Sequence, residues 1–115
     1  MPYFKIETNQ KLDDAGAAKF SKEASVFLSG LLGKPERVIM VSVDHGISMR
    51  FNENTSPAAY VEVKSIGLNS DKCPEYAKAV CEFVETAINV PSDRVYIDFA
   101  AINGKMFGWN RRLFN

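Results

Sequence analysis

The chain has 115 residues, 46% of them apolar, and its fourteen basic residues are balanced by fourteen acidic ones. That length fits one domain with a core of its own. The even charge, with no basic stripe, argues against a nucleic-acid partner. No signal-peptide h-region and no apolar run of about 18 residues is evident, which argues against signal-directed export and against a membrane span. A cytoplasmic protein is the expectation, although secretion by a non-classical route would leave no mark in the sequence.

Tyr3 to Thr8 alternates with the period of a strand, directly behind Met1-Pro2. Asp13 or Asp14 can cap a helix whose apolar stripe is Phe20, Ala24, Phe27, Leu28, Leu31 and Leu32. Gly33 ends it as a C-terminal glycine should, and Pro35 blocks its continuation. Val38 to Val43 reads as a second strand and Ala58 to Ile66 as a third. Ser70 or Asp71 then opens a helix carrying Tyr76, Ala77, Val80, Val84, Ala87 and Ile88 on one face. Pro91 follows its end, and Arg94 to Phe99 is the last long strand. The two cysteines, Cys73 and Cys81, fall on one helix about 12 Å apart along its axis, too far for a bridge. His45, the sole histidine, sits beside a glycine in a turn and reads as a surface residue.

The chain repeats itself. Lys34-Pro35-Glu36-Arg37-Val38-Ile39 recurs in kind as Val90-Pro91-Ser92-Asp93-Arg94-Val95, with the two arginines 57 positions apart. The order is βαβ followed by βαβ, over about residues 2–50 and 57–101, with a tail at 102–115 and a single domain throughout. Two such units predict an α/β (α+β) fold: one four-stranded mixed sheet with both helices on one face. Val41, Val43, Val61, Val63, Ile97 and Phe99 look too many for one helix layer, so a second apolar sheet face and two open edges are expected to drive self-association. The tail adds Ile102, Met106, Phe107, Trp109, Leu113 and Phe114. It either closes the subunit's own core as a short hairpin or packs on a neighbour.

Pro2 carries the sharpest chemical suggestion. With Met1 trimmed, its secondary amine would be held on a rigid strand, able to take a proton from a carbon acid. Most Met-Pro starts carry no chemistry, so the rest of the chain has to support the idea.

With these pieces in place the sequence resembles the macrophage migration inhibitory factor (MIF) family of the tautomerase superfamily. The matching residues are Met1-Pro2, Gly33-Lys34-Pro35, Ser65-Ile66-Gly67, Pro91-Ser92-Asp93-Arg94-Val95-Tyr96-Ile97 and Gly108-Trp109-Asn110, with Phe114 near the end. The resemblance covers essentially the whole chain. It implies the tautomerase fold and a homotrimer whose sheets wrap a central channel, with an active site at each subunit interface. It also implies keto–enol tautomerisation of phenylpyruvate-like 2-oxo acids and dopachrome-type compounds, with no metal or organic cofactor.

Under that resemblance Pro2 is the general base, its amine made useful at neutral pH by apolar surroundings and a nearby cation, which both disfavour the charged form. Tyr3, Ile66, Phe107 and Trp109 supply the apolar walls, with Ile66 contributing mainly backbone. Lys34 is the cation and the anchor for a carboxylate or developing enolate. Its plain alternative is a lysine favoured by the helix C-terminal dipole. Tyr96 would project from the adjacent subunit, or else be an ordinary strand tyrosine. Phe107 and Trp109 would sandwich an aromatic substrate, or simply pack an interface.

Departures from the family pattern matter too. Asp98 stands where familiar animal members carry asparagine, and a carboxylate there would repel an anionic substrate unless paired, with Arg37 or Arg50 available to compensate. The family's Cys-x-x-Cys is replaced by Pro57-Ala58-Ala59-Tyr60-Val61, so no dithiol redox activity is expected. Phe51-Asn52-Glu53-Asn54-Thr55 replaces a glycine-containing turn, so receptor-type contacts are not carried over. Two other classes compete with the enzyme: a cytokine-like or binding protein with a vestigial site, and an oligomeric interaction protein whose Met-Pro start is incidental. The joint presence of Pro2, Lys34, Tyr96 and Trp109 favours the enzyme.

Overall fold

A computed structural model describes residues 1–114. Strand β1 (Tyr3–Thr8) leads into helix α1 (Asp14–Leu32), strand β2 (Met40–Asp44) and strand β3 (Ala59–Ile66). Helix α2 (Cys73–Ile88), strand β4 (Val95–Ile102) and a hairpin of β5 (Gly108–Trp109) and β6 (Arg112–Leu113) complete the order. The main sheet runs β2-β1-β3-β4, with β1 parallel to β2, β3 parallel to β4, and β1 antiparallel to β3. The predicted four-stranded mixed sheet with two helices is thus present, each βαβ unit contributing one parallel pair.

Local chemistry explains the boundaries. Asp13 caps α1, its carboxylate accepting from the Gly16 N–H at 2.6 Å. Gly33 closes the helix in the left-handed region at φ 66, which costs a residue without Cβ little. Behind Pro35 the chain makes a 3₁₀ turn at Glu36–Val38 before β2, and behind Pro91 it makes another at Ser92–Arg94 before β4. These turns move the strand starts from Val38 to Met40 and from Arg94 to Val95, and they strengthen the repeat. Strand β4 also runs past Phe99 to Ile102. Ser70–Lys72 forms a further 3₁₀ turn, capped by Asn69, so α2 itself begins at Cys73, with Pro74 in its first turn. Both cysteines are free.

Strand register overturns the expected second apolar face. Phe4 pairs with Val41 and Val63, Ile6 with Val43 and Val61, and Val61 and Val63 with Ile97 and Phe99. All six residues expected to overfill the sheet therefore lie on the face that α1 and α2 cover, and all join one core. The helices cover them by bringing their own aromatic rings. Phe27 and Phe83 stack at 4.5 Å, Phe20 stacks on Phe83 at 5.7 Å, and fully buried Phe4 meets Phe27 at 6.2 Å and Phe83 at 6.4 Å. The opposite face carries Tyr3, Lys5, Glu7, Ser42, Asp44, Tyr60, Glu62, Lys64, Tyr96 and Asp98, with Met40, Ile66, Ala100 and Ile102 gathered at one end, a mixed surface. What stays exposed and apolar is scattered over the edge strands, where Met40 is 68% and Tyr96 61% accessible, and over the tail at Met106, Trp109 and Leu113. The tail does form a hairpin, but one that leaves these side chains outside the subunit's core.

The two other sites of local interest are the loop before β3 and His45. Arg94 donates to the carbonyls of Phe51, Ser56 and Pro57 at 3.1, 2.9 and 2.8 Å, and its guanidinium lies 5.3 Å from the Phe51 ring. That one side chain closes the loop, whose tip turns through Asn52 and Glu53, both at positive φ. His45, expected on the surface, is half-buried because its Nδ1 accepts from the Leu12 N–H at 3.3 Å.

Phe4 is where sheet and both helices meet, so it tests the core. Phe4→Ala should cost about 3–5 kcal/mol and Phe4→Leu clearly less, measured by denaturant unfolding at one fixed protein concentration. A loss for the alanine variant no larger than a surface substitution gives would place the core elsewhere.

Candidate active site

The first strand lies inside the sheet, between β2 and β3, so its beginning is held on both sides. Pro2 offers no N–H, but its carbonyl accepts from Met40 N–H at 3.1 Å, and the ring is buried. Tyr3 then pairs with Met40 on one side and Lys64 on the other, and its hydroxyl shares a 2.6 Å hydrogen bond with Ser42 Oγ. A segment that would ordinarily fray is fixed at this sheet end.

Around it opens a cavity of about 640 Å³, lined by Met1, Pro2 and Tyr3, by residues 37–40, by Lys64 and Ile102, and by Phe107, Gly108, Trp109 and Phe114 of the tail. The walls are largely apolar. The charged side chains among them, Arg37 and Lys64, are both cations. The Met1 amino group at the cavity has its pKa lowered, first by burial, which disfavours the ammonium form, and second by the positive charge of Lys34.

Lys34 owes its placement to the helix end. Ser29 accepts the Lys34 N–H at its carbonyl, 3.2 Å, and donates its hydroxyl to the Lys34 carbonyl, 2.6 Å. Its side chain is not among the lining residues, yet its charge is felt at the amine.

Of the residues singled out from sequence, Pro2, Tyr3, Phe107 and Trp109 come together in this cavity. Ile66 does not line it; its register partner Ile102 does. Tyr96 and Asp98 also lie elsewhere, on edge strand β4, six and four residues before Ile102. At about 3.3 Å per residue that is roughly 20 and 13 Å along the strand, so a protomer cannot offer them to its own cavity. Tyr96 packs edge-on to Phe51 at 4.9 Å and is otherwise open. The aromatic wall is a cluster of three rings, because Phe114 stacks on Phe107 at 5.5 Å and lies 6.5 Å from Trp109.

Sequence reasoning assigned no lining role to Lys64, Val38, Ile39 or Met40. Lys64 lies 62 positions from Pro2 in the chain, and only the antiparallel register of β1 on β3 brings it alongside Tyr3. Alternation within Ala58 to Ile66 does put Lys64 on the polar face, which is the one signal that could have flagged it.

The model of the family described as macrophage migration inhibitory factor (MIF) matches residues 1–115. A macrophage migration inhibitory factor homolog of Brugia malayi is 32% identical over 115 residues, 99% of either chain. The macrophage migration inhibitory factor of Xenopus tropicalis is 30% identical with the same coverage. Among solved structures, that of a homologue from Prochlorococcus marinus superposes with a TM-score of 0.90 at 37% identity, covering 98% of this chain and 99% of its own. A match of sequence and fold along the whole length places this chain in the macrophage migration inhibitory factor family, within the tautomerase fold.

Proposed function

We propose that the chain is a keto–enol tautomerase of phenylpyruvate-like 2-oxo acids, and by extension of dopachrome-type compounds, with the Pro2 amine as its general base after Met1 is removed. The observation that carries this reading is the terminal amine at an apolar-walled cavity, its pKa lowered by burial and by Lys34. A prolyl nitrogen one residue further along would meet the same two influences. An amine whose proton affinity is lowered in this way is more often free to accept a proton and readier to give it back.

In the enolising direction the Pro2 nitrogen takes a proton from the carbon next to the ketone. The electron pair of that C–H bond forms the carbon–carbon double bond, and the carbonyl π pair moves onto oxygen, which then takes a proton from water; the prolinium gives its proton through solvent to the hydroxide so formed, which restores the free amine. In the reverse direction the prolinium returns its proton to carbon. The carboxylate is anionic throughout and the oxygen becomes so in the enolate, and Lys34 provides the positive charge that stabilises them. Phe107, Trp109 and Phe114 exclude water and offer ring faces to the rest of the substrate.

The same reading calls for a homotrimer. Tyr96 and Asp98 are exposed on one edge of the sheet, and Met40, beside the cavity, is exposed on the other. Edge-to-edge assembly would carry Tyr96 and Asp98 of one protomer to the cavity of the next, with the exposed tail side chains closing the seam.

Three measurements test this. Intact mass should show Met1 absent, and Pro2→Gly should cut turnover of enol phenylpyruvate by 10²-fold or more; equal rates would remove Pro2 as the base. The acid limb of kcat/KM should report the amine of the free protein. Loss of Lys34's charge in Lys34→Met raises that pKa, so the limb should move to higher pH, whatever the fall in rate; an unmoved limb would mean Lys34 does not act on the base. Light scattering should give a mass near three subunits, and a single-subunit mass would contradict the shared site.

A further inference from the structure

The duplicated arginines have parted company. Arg94 and Arg37 each sit in the 3₁₀ turn that precedes a strand running parallel to the first strand of its own repeat, Arg94 at the last place of its turn and Arg37 at the middle of its own. Arg94 spends its guanidinium on the three carbonyls of the chain entering β3, at Phe51, Ser56 and Pro57. Beside the turn of the first repeat stands the cavity, with Arg37 on its wall. Arg37 makes no side-chain hydrogen bond or ion pair among the described residues. It is a five-donor fork, planar and permanently charged, on the wall of a cavity that offers it no carboxylate among the described residues.

Lys64 is the second cation on the wall. It touches Glu62 at 3.5 Å, but its side chain stays 40% accessible, so that open pair leaves the ammonium available. Among the described residues no acidic side chain lines the cavity, although the chain as a whole carries no net charge. Lys34 already provides one cation beside the amine. A substrate with a single carboxylate needs that one only, and two further cations at an apolar cavity would be left unpaired by it.

We infer that Arg37, assisted by Lys64, selects 2-oxo acids that carry a second carboxylate, gripping the group farther from the ketone. Arg37 is the fork that a carboxylate fits with two parallel N–H···O bonds, and Lys64 the point charge that completes its neutralisation. The inference builds on the tautomerase reading for the word substrate, while the binding preference stands by itself.

Trp109, the sole tryptophan, lines the cavity and reports binding by its fluorescence without any need for turnover. The matched probes are fumarate and crotonate, which differ only by a carboxylate in place of a methyl group. Fumarate should bind at least about tenfold more tightly, the size of one charge-assisted contact. Arg37→Leu should bring the two to within about twofold, Arg37→Lys should keep part of the preference, and Lys64→Met should reduce it less than Arg37→Leu does. Equal binding of the two probes by the unaltered protein overturns the inference. So does an Arg37→Leu variant that keeps the preference, or one that loses both probes alike, as it would if Arg37 served only to neutralise Asp98 of a neighbour. A parallel assay follows Pro2-dependent deuterium exchange at C3 of oxaloacetate and of 2-oxobutyrate, above the spontaneous rates. Should fumarate be preferred through Arg37 while neither acid exchanges, the selection stands and the tautomerase reading falls.

Discussion

Everything at the site depends on the first strand being an interior strand. A terminal segment at a sheet edge could peel away at little cost, but β1 is hydrogen-bonded to β2 on one side and β3 on the other. Its alternate residues Phe4, Ile6 and Thr8 are fully buried among the helices. Moving Pro2 would mean breaking two ladders and opening the core. Pro2 is thereby as well fixed as any side chain on a rigid element, and the cavity around it is lined from all four strands and the tail at once. At the same sheet end the Met1 amino group is partly withdrawn from water, which together with the charge of Lys34 lowers its affinity for a proton.

Much of this was legible in the residues. Alternation in Tyr3 to Thr8, the stripe ending at Gly33, and the two turns that pair a proline with an arginine gave the elements and the repeat, because each rests on short-range chemistry. Register was not legible. Val41, Val61 and Ile97 are equally apolar whether they share a face or split between two, and only the pairing shows that all are on the helix side. The expected apolar back face failed for that reason. Two parallel strand pairs could take the alternation either way, and the phenylalanines of α1 and α2 proved bulky enough to cover a full set. Lys64 escaped notice for the same reason, since its neighbour Tyr3 is distant in the chain. Tyr96 and Asp98 show the opposite case. Their type and spacing drew attention, but the strand length that separates them from the cavity appears only in three dimensions.

The corrected sheet face changes why self-association is attractive. A continuous greasy face would have demanded a partner on hydrophobic grounds alone. The actual face mixes charges, tyrosines and small polar groups, with Lys5 and Glu62 directly paired across β1 and β3, and such a surface can tolerate water. The pressure to assemble comes instead from open backbone edges at β2 and β4 and from the exposed Met40, Tyr96, Trp109 and Leu113 near them. An assembly built through edges can leave the polar face looking into a wet interior, which a face-to-face dimer could not.

Duplication explains how such a site could arise on a repeated scaffold. Each half carries a proline, a 3₁₀ turn and an arginine beside the beginning of its own first strand. In the second half that place is filled by the loop from Phe51 to Pro57, and Arg94 satisfies its carbonyls. The first half keeps the arginine and the shape but presents a cavity instead of a loop. An arginine suited to holding main-chain oxygens is, chemically, already suited to holding carboxylate oxygens, since both are planar acceptors in reach of the same fork. The step from a structural clamp to a ligand clamp therefore needs no new side chain. It needs only that the oxygen atoms be supplied from outside the chain.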